Sequence, residues 1–495
     1  MSTEVIITGS GMGGLTAGAL LAKEGYRVTL LEAAAEWGGC ASKFQRKSYR
    51  FASGATLAMG YEHDGIHERI NRHLNIALSV VPLEEVMRVE IGGRSLPYFT
   101  SRARMLKMWE EAEPEYAERI HAFYKKIWQA GTVLAKHMRS YPVLPPVKLR
   151  ELIPVAERLS PGSFALIPNL NRTLGDLIEE LDLGGCKSFI HFIDGTLMDS
   201  MQSTHAEVHF LMGAAALNVY HEGSFYVDGG LYEQAEAYVE VIKAHGGRVL
   251  KPRMVTSVKK MNGVWHVRDH RNNHYEAKHV VLNTGISQLP DILEHSVFES
   301  LSGRLKKRID PKLQWGTYTQ YFAVKEECIP PNAPYFYQIM LDPDLPGHGK
   351  NHFFISLSRK EDRLRAPAGF RTLTVSTHIK LNEWQDKTEY DRLSEDIHSA
   401  VLGKLEDLFP GFSDNQVIYE SGGPVAWERF TKRKGGAVGG YPMNRNYALW
   451  RAVSHRTPHK GLWLCGDTVF PGAGSIGAAS SGVHVARSIT GRKLL

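Results

Sequence analysis

Near its amino end the chain reads Val5-Ile6-Ile7-Thr8-Gly9-Ser10-Gly11-Met12-Gly13-Gly14. The first four residues predict a short buried strand, and a G-x-G-x-x-G pattern follows at once. The helix that these glycines open is predicted to run from Met12 to Glu24 and to end at Gly25. In such a turn the backbone can approach a pyrophosphate, and the free N–H groups at the helix N-terminus attract that anion. The pattern therefore predicts a dinucleotide-binding site.

An acidic residue follows at the spacing that this kind of site requires. Val28–Leu31 is predicted as the second strand, and it leads into Glu32, close to the spacing of about 20 residues from the glycines that is usual for the ribose-binding acid. A carboxylate here accepts hydrogen bonds from ribose hydroxyls and repels a 2′-phosphate. We therefore expect Glu32 to bind the adenosine ribose, which disfavours NADP.

Two later segments favour FAD over NAD. The glycine pair Gly38-Gly39 comes soon after Glu32, and Gly54-Ala55-Thr56 follows it. Backbone with little side chain can lie along an extended dinucleotide, beyond what a simple NAD-binding unit requires. We therefore predict FAD as the cofactor.

The carboxyl end carries a similar arrangement. Residues 461–467 predict a strand that delivers a glycine and Asp467, and a helix is predicted from Ala478 to Ile489. We interpret this as a second contact to the same cofactor. Asp467 would accept a hydrogen bond from a ribityl hydroxyl, while the amides of Ser475 and Ile476 would face a flavin edge or a phosphate.

The middle of the chain is predicted to return to the same sheet. Residues 279–285 predict another buried strand, and residues 254–258 predict a strand that precedes a hairpin turn at Asn262-Gly263. We expect Val255 in that strand to contact the cofactor. The predicted cofactor-binding residues are together Gly9, Ser10, Gly11, Met12, Gly13, Gly14, Glu32, Gly38, Gly39, Gly54, Ala55, Thr56, Val255, Gly466, Asp467, Ser475 and Ile476.

Residues 9–56 and 461–488 resemble the phytoene desaturase-like family of FAD-dependent carotenoid oxidoreductases, part of the flavin amine oxidase superfamily. That family includes carotenoid desaturases, carotenoid isomerases and retinol saturases. The most similar segments are Gly38-Gly39-Cys40, Gly54-Ala55-Thr56 and residues 466–472.

Weaker similarity continues through residues 226–258, 366–369 and 422–440, so the resemblance spans most of the chain. The family commonly has a basic residue where this chain has Glu36 and an acid where it has Ala52. No flavin contact is therefore carried over to those two positions, and no catalytic residue is assigned.

The resemblance implies an FAD-dependent oxidoreductase that acts on a carotenoid or a related polyene. We favour a desaturase, in which the flavin accepts a hydride from an allylic carbon and a quinone or oxygen reoxidises it. A redox-neutral cis–trans isomerase or a retinol saturase-like enzyme is the close alternative, and a flavin amine oxidase is the third. A lipid chaperone like the Rab GDP-dissociation inhibitors is the non-enzyme alternative, against which the intact Gly9–Gly14 and Glu32 argue.

Composition excludes several other classes. The chain has 495 residues, of which 43% are hydrophobic and 23% charged, and its net charge is +6. These values are typical of a globular protein, and the charge suits an anionic cofactor or membrane surface while being too weak to indicate nucleic acid. The 4 cysteines and 22 histidines form no recognisable ligand motif, so no metal is predicted. We see no signal peptide and no apolar run long enough to span a bilayer, and we expect a cytoplasmic protein.

The predicted fold class is α/β. Residues 1–95, 202–285 and 421–495 are expected to form a discontinuous Rossmann-type FAD-binding domain. A helical insertion at residues 96–201 and a β-rich substrate domain at residues 286–420 would interrupt it. Strand-like segments at residues 316–324, 353–357 and 372–376 would form the floor of a pocket beneath the flavin.

The helical insertion allows two interpretations. Tyr116, Ile120, Phe123 and Ile127 recur at helical spacing, basic residues lie between them, and residues 163–168 form a short apolar segment. Such a stripe is ordinarily core packing. The same composition also suits peripheral contact with an anionic bilayer, and we predict membrane association through residues 101–170.

Overall fold

The structure is a computed structural model that describes residues 4–146, 151, 153–157, 159–384 and 386–495. Residues 1–3, 147–150, 152, 158 and 385, which belong to the predicted segments, lie outside the described residues. The strands are β1 (Val5–Thr8), β2 (Val28–Leu31), β3 (Lys43–Arg46), β4 (Tyr49–Ala52), β5 (Ala58–Met59), β6 (Val80–Pro82), β7 (Glu85–Ile91), β8 (Arg94–Phe99), β9 (Ser224–Val227), β10 (Arg248–Leu250), β11 (Val255–Met261), β12 (Val264–Asp269), β13 (His274–Ala277), β14 (His279–Leu282), β15 (Trp315–Lys325), β16 (Phe336–Met340), β17 (His352–Leu357), β18 (Phe370–Lys380), β19 (Gln416–Gly422) and β20 (Leu462–Leu464). The helices are α1 (Met12–Lys23), α2 (Ile66–Leu74), α3 (Arg102–Ala112), α4 (Ala117–Met138), α5 (Ile153–Ala156), α6 (Pro161–Phe164), α7 (Leu174–Glu180), α8 (Lys187–Met201), α9 (Phe210–Glu222), α10 (Tyr232–Ala244), α11 (Leu289–Ile292), α12 (His295–Glu299), α13 (Gly303–Lys306), α14 (Lys387–Leu408), α15 (Phe412–Asn415), α16 (Pro424–Thr431) and α17 (Gly474–Thr490).

A five-stranded parallel sheet in the order β10–β2–β1–β14–β20 confirms the predicted α/β class. The central strand β1 is buried along its whole length, as expected of a parallel sheet that is covered on both faces. The carboxyl ends of parallel strands meet at one edge of the sheet, where ligands bind in such folds. This edge brings together the residues that follow β1, β2, β14 and β20, namely Gly9, Glu32, Asn283 and Cys465.

Two glycine-rich helices pack closely against each other above this edge. The prediction for α1 is confirmed to within one residue, because the helix ends at Lys23 and Gly25 follows with φ +87°. α17 starts four residues before the predicted Ala478, at Gly474. A Cβ atom on Gly482 of α17 would lie 2.3 Å from the carbonyl oxygen of Gly13, so the two backbones are in direct contact.

A seven-stranded sheet in the order β19–β15–β18–β17–β16–β7–β8 forms the second layer. The predicted strands at residues 316–324, 353–357 and 372–376 lie within β15, β17 and β18. β7 and β8 join this sheet through a parallel pairing of β7 with β16. The sheet therefore combines strands that lie before and after residue 95, where the first predicted segment of the FAD-binding domain ends. The division of the chain into domains remains a prediction.

The aromatic stripe of the helical region belongs to the core. Ile120, Phe123 and Ile127 on α4 are completely buried, and the Phe123 ring lies 5.0 Å from that of Phe189 on α8. These side chains fill the space between α4, α8 and α9, which excludes them from contact with a bilayer. No helix among the described residues is both long and apolar enough to cross a membrane.

Candidate cofactor and substrate cavity

The turn after β1 requires glycine at several positions. Gly9 has φ +92°, and a Cβ atom there would lie 2.6 Å from the carbonyl oxygen of Asn283. A Cβ atom on Gly14 would lie 2.3 Å from the carbonyl oxygen of Gly9. The turn is therefore tight for steric reasons, and it leaves the N-terminus of α1 open toward the sheet edge.

Asn283 supports this turn from the neighbouring strand. Its side-chain Nδ2 donates to the carbonyl oxygens of Gly9 and Gly11 at 3.1 and 3.4 Å. No role was predicted for Asn283. The available signal was its position near the end of a predicted strand of the same sheet, where a short amide side chain can reach the adjacent turn.

The Glu32 carboxylate is held in place by the glycine turn itself. Oε2 accepts from the backbone N–H and the hydroxyl of Ser10, both at 2.6 Å, and Oε1 accepts from the backbone N–H of Ala34 at 2.6 Å. The residue is 7% exposed. Because each carboxylate oxygen has two lone pairs, these three bonds leave capacity for one ribose hydroxyl while fixing the orientation of the group.

The second glycine pair lies against the first. Gly38 has φ +99° and donates its N–H to the carbonyl oxygen of Ser10 at 3.0 Å. A Cβ atom on Gly39 would lie 3.3 Å from the Cα atom of Gly11. The Gly54-Ala55-Thr56 segment joins them, because the Ala55 N–H donates to the carbonyl oxygen of Cys40 at 3.0 Å.

These segments surround one continuous cavity of about 950 Å³, at the upper end of the usual range for ligand sites. All the predicted cofactor residues line it except Ser10 and Gly14. The Ser10 side chain binds Glu32, and Gly14 packs beneath the turn at Gly9. The structure thus brings Val255, Ser475 and Ile476, which are remote in sequence, to the cavity that the glycine turn also lines. Their contact with the cofactor remains a prediction.

Asp467 forms an ion pair that sequence analysis missed. The Arg433 guanidinium donates to both of its carboxylate oxygens, at 2.5 and 3.3 Å, and both residues line the cavity. Burial alone would lower the pKa of Arg433, but the adjacent Asp467 carboxylate raises it. Burial raises the pKa of the neighbouring Cys40 thiol, and Arg433 offsets part of this effect. The cavity therefore holds the fixed positive charge of Arg433 beside Asp467, the carboxylate that is predicted to bind the cofactor.

Beyond the glycine-rich end, the cavity has predominantly apolar walls. Their side chains come from β5, the end of α4, helix α9 and the seven-stranded sheet. They are Met59, Leu134, Met138, Met212, Ala215, Ala216, Val219, Tyr220 and Phe354. Polar groups in this part include Asp199 and His378. One cavity thus joins a dinucleotide-type turn to an apolar chamber.

Comparison with known proteins gives a consistent assignment. The model of the family described as flavin containing amine oxidoreductase matches residues 12–490. The chain is 24% identical over 503 residues to prolycopene isomerase 1, chloroplastic, of an Oncidium hybrid cultivar, with 98% of this chain and 83% of the relative covered. It is 24% identical over 540 residues to all-trans-retinol 13,14-reductase of Homo sapiens, with 99% of this chain and 86% of the relative covered.

Solved structures share the fold across the whole chain. An oxidoreductase from Methanosarcina mazei has a TM-score of 0.66 at 16% identity, covering 99% of this chain and 100% of that chain. Putrescine oxidase bound to putrescine has a TM-score of 0.63 at 14% identity, covering 99% of this chain and 100% of that chain. At such identities the likeness concerns the fold.

Proposed function

Because the chain belongs to the flavin-containing amine oxidoreductase family, we propose that this FAD-dependent oxidoreductase acts on the double-bond system of a carotenoid, a retinoid or a related polyene. The observation that carries the proposal is the single cavity, which continues from the glycine turn into an apolar chamber. The names of the relatives, a prolycopene isomerase and an all-trans-retinol reductase, support the same substrate class.

The residues of the glycine-rich end fit the cofactor. The turn at Gly9 and the N-terminus of α1 would hold the pyrophosphate, and Glu32 would accept hydrogen bonds from the adenosine ribose. Asp467, Ser475 and Ile476 would contact the ribityl chain, a phosphate or the flavin edge. When bound, FAD supplies hydride transfer at its flavin ring.

The apolar walls would align the polyene and exclude water from it. Methionine side chains such as Met138, Met201 and Met212 adapt their shape to a long ligand, and Phe354 and Tyr220 add flat surfaces. Burying the substrate in such a chamber is favourable at about 25 cal/mol per Å² of apolar surface. Binding energy would therefore come chiefly from the hydrocarbon chain.

Of the reactions on a polyene, we propose desaturation on the basis of the resemblance to the desaturase branch, with a quinone or oxygen as the electron acceptor. Redox-neutral isomerisation and saturation are the second candidates, because the relatives' names describe an isomerase and a reductase. An amine oxidase reaction is the third.

Product analysis separates these reactions. We expect the protein, loaded with FAD and supplied with carotenoids and retinol in lipid vesicles, to change the absorption maximum of at least one polyene. Loss of two hydrogen atoms with a red shift identifies desaturation, unchanged mass identifies isomerisation, and gain of two hydrogen atoms under reducing conditions identifies saturation. Unchanged polyenes together with oxidation of an amine such as putrescine would contradict the proposal.

We further propose that the protein is cytoplasmic and docks on an anionic bilayer through residues 159–170. Phe164 and Ile167 are 61% and 57% exposed, in contrast to the buried aromatic residues of α4. This segment lies against the chamber wall, because the Ser163 hydroxyl is 2.9 Å from His137 Nε2 on α4, whose Leu134 and Met138 line the cavity. A polyene dissolved in the bilayer would therefore meet the protein close to the chamber.

Replacing both Phe164 and Ile167 with glutamate tests this docking. We expect at least a tenfold loss of binding to anionic vesicles in co-sedimentation, because burial of one such side chain contributes about 1.5–3 kcal/mol. The control replaces Met261 and Leu345, which are exposed elsewhere on the surface, with glutamate. Wild-type binding should weaken with salt without vanishing. Equal binding of both double variants, or no binding of the wild type at low salt, would contradict this site.

A further inference from the structure

A cluster of one carboxylate and two imidazoles lies in the chamber wall. Asp199 is near the end of α8, His352 begins β17, and His378 is on β18. The pairing of Phe354 with Ser376, continued by two residues, places His352 opposite His378 on neighbouring strands. Asp199 closes the cluster from the helix above the sheet.

The distances within the cluster suit a shared ion better than direct hydrogen bonds. Asp199 Oδ2 is 3.8 Å from His352 Nε2, and Asp199 Oδ1 is 3.5 Å from His378 Nδ1. One ligand atom from each of the three residues lies within 4.8 Å of the others. Hydrogen bonds between such groups are about 2.7–3.2 Å long. Ligands at about 2.1 Å around a tetrahedral ion are separated by roughly 3.4 Å, which is similar to each of these two carboxylate–imidazole distances, although they involve different oxygens of Asp199.

Several polar atoms of the cluster have no hydrogen-bond partner. His352 is completely buried, and neither of its ring nitrogens has a hydrogen-bond partner among the described residues. Within the same part of the chain, His378 Nδ1 and Asp199 Oδ1 are also unpartnered. Buried polar groups are rarely left in this state, because each costs about 1–3 kcal/mol.

A neighbouring amide orients the carboxylate. Gln338 Nε2 on β16 donates to Asp199 Oδ2 at 2.9 Å, and the Thr196 hydroxyl donates to Gln338 Oε1 at 3.4 Å. Such outer partners are typical of metal sites, where they fix the direction of the ligand.

We propose that Asp199, His352 and His378 form a binding site for a divalent transition metal of the Zn²⁺ class. Two imidazoles and one carboxylate are a common ligand set for Zn²⁺, and a three-residue site leaves a fourth position for water or another oxygen ligand. Asp199 and His378 line the chamber, so that position faces the substrate side. The proposal does not depend on the identity of the polyene.

Zinc binding to the full-length, FAD-loaded and untagged protein tests the proposal. After removal of metals, equilibrium dialysis against Zn²⁺ should give one equivalent per chain at micromolar or lower free metal. Asp199→Asn and His378→Gln should each weaken binding at least about 100-fold, because loss of even an outer partner costs 10–100-fold. His205→Asn is the matched control, since His205 pairs with Asp194 at 2.8 Å in a separate imidazole–carboxylate contact.

The outcomes are distinguishable from those of the polyene assay, because metal content is measured without substrate. One equivalent in the wild type and in His205→Asn, with loss in both cluster variants that retain FAD, supports the site. No stoichiometric Zn²⁺ in the wild type, or equal binding in all four proteins, overturns it. If one of the two cluster variants fails to retain FAD, the zinc binding of the other variant decides the outcome. The two substitutions are independent in this respect because Asp199 lies on α8 and His378 lies on the seven-stranded sheet.

Discussion

Glu32→Ala is expected to release FAD on dilution under conditions in which the wild type retains it. The carboxylate would lose a charge-assisted hydrogen bond to the adenosine ribose, which contributes about 1.5–3 kcal/mol and corresponds to at least a tenfold loss of affinity. The substitution also leaves the N–H groups of Ser10 and Ala34 without their acceptor. Flavin retained after gel filtration measures the effect.

Glu36→Ala provides the matched control for this experiment. Glu36 also lines the cavity, but its carboxylate is 39% exposed and makes only long contacts, at 3.4 Å to Tyr232 and 3.5 Å to Lys251. We expect this variant to retain FAD like the wild type. Equal retention by Glu32→Ala and the wild type would remove the ribose assignment.

Asp467→Ala should reduce both stability and flavin binding. Breaking a buried ion pair from one side costs roughly 3–5 kcal/mol, and somewhat less is expected here because the side chains of Arg433 and Asp467 are 16% and 20% exposed. Thermal unfolding in the presence and absence of FAD measures the two effects.

The double variant Arg433→Met with Asp467→Ala separates the two roles of the carboxylate. We expect it to regain stability relative to Asp467→Ala, because no unpaired charge remains. If Asp467 contacts FAD, the double variant binds FAD at least about tenfold more weakly than Arg433→Met alone, since one charge-assisted hydrogen bond is lost. Equal FAD affinity of these two variants would mean that Asp467 acts only through Arg433.

The glycine-rich end of the cavity could be predicted because its determinants are local. The strand, the turn, the helix and the acidic residue all lie within residues 5–32. Each depends on a local requirement, which is the sign of a residue's φ, the close approach of backbone atoms or the periodicity of a strand. The bounds of β1 and β2 are as predicted, and α1 differs by one residue. Family membership also decides between the enzyme and the chaperone alternatives, since the chain is an FAD-dependent oxidoreductase.

The groups that complete the site could not be predicted, because folding alone brings them together. Asn283 lies 274 positions from Gly9, and Arg433 lies 34 positions from Asp467 with a strand between them. Asp199, His352 and His378 belong to three separate elements, so no spacing rule connects them. Asn283 reaches Gly9 because β14 pairs with β1 in parallel. Asp199 reaches the two histidines because α8 packs on the seven-stranded sheet.

Apolar spacing alone also failed to separate core from surface in the helical region. Phe123 and Phe164 are both aromatic residues in predicted apolar segments, yet one is completely buried and the other 61% exposed. The difference arises because α4 is covered by α8 and α9, whereas α6 is a single turn at the surface. Amphipathic spacing shows that a face is apolar, and only tertiary structure shows what covers it.

The most direct test of whether one cavity holds both cofactor and substrate is the rate of polyene conversion by the Ala215→Trp variant. This rate is compared with that of the wild type at equal FAD occupancy. Ala215 lines the chamber on α9, and a tryptophan there would occupy substrate space. Ala400→Trp on α14, away from the cavity, is the control. We predict that Ala215→Trp retains FAD but converts the polyene at least about tenfold more slowly, because steric conflict with the substrate costs about one to a few kcal/mol. The control variant should convert the polyene at the wild-type rate. Equal conversion rates in Ala215→Trp and the wild type would contradict the assignment of the chamber.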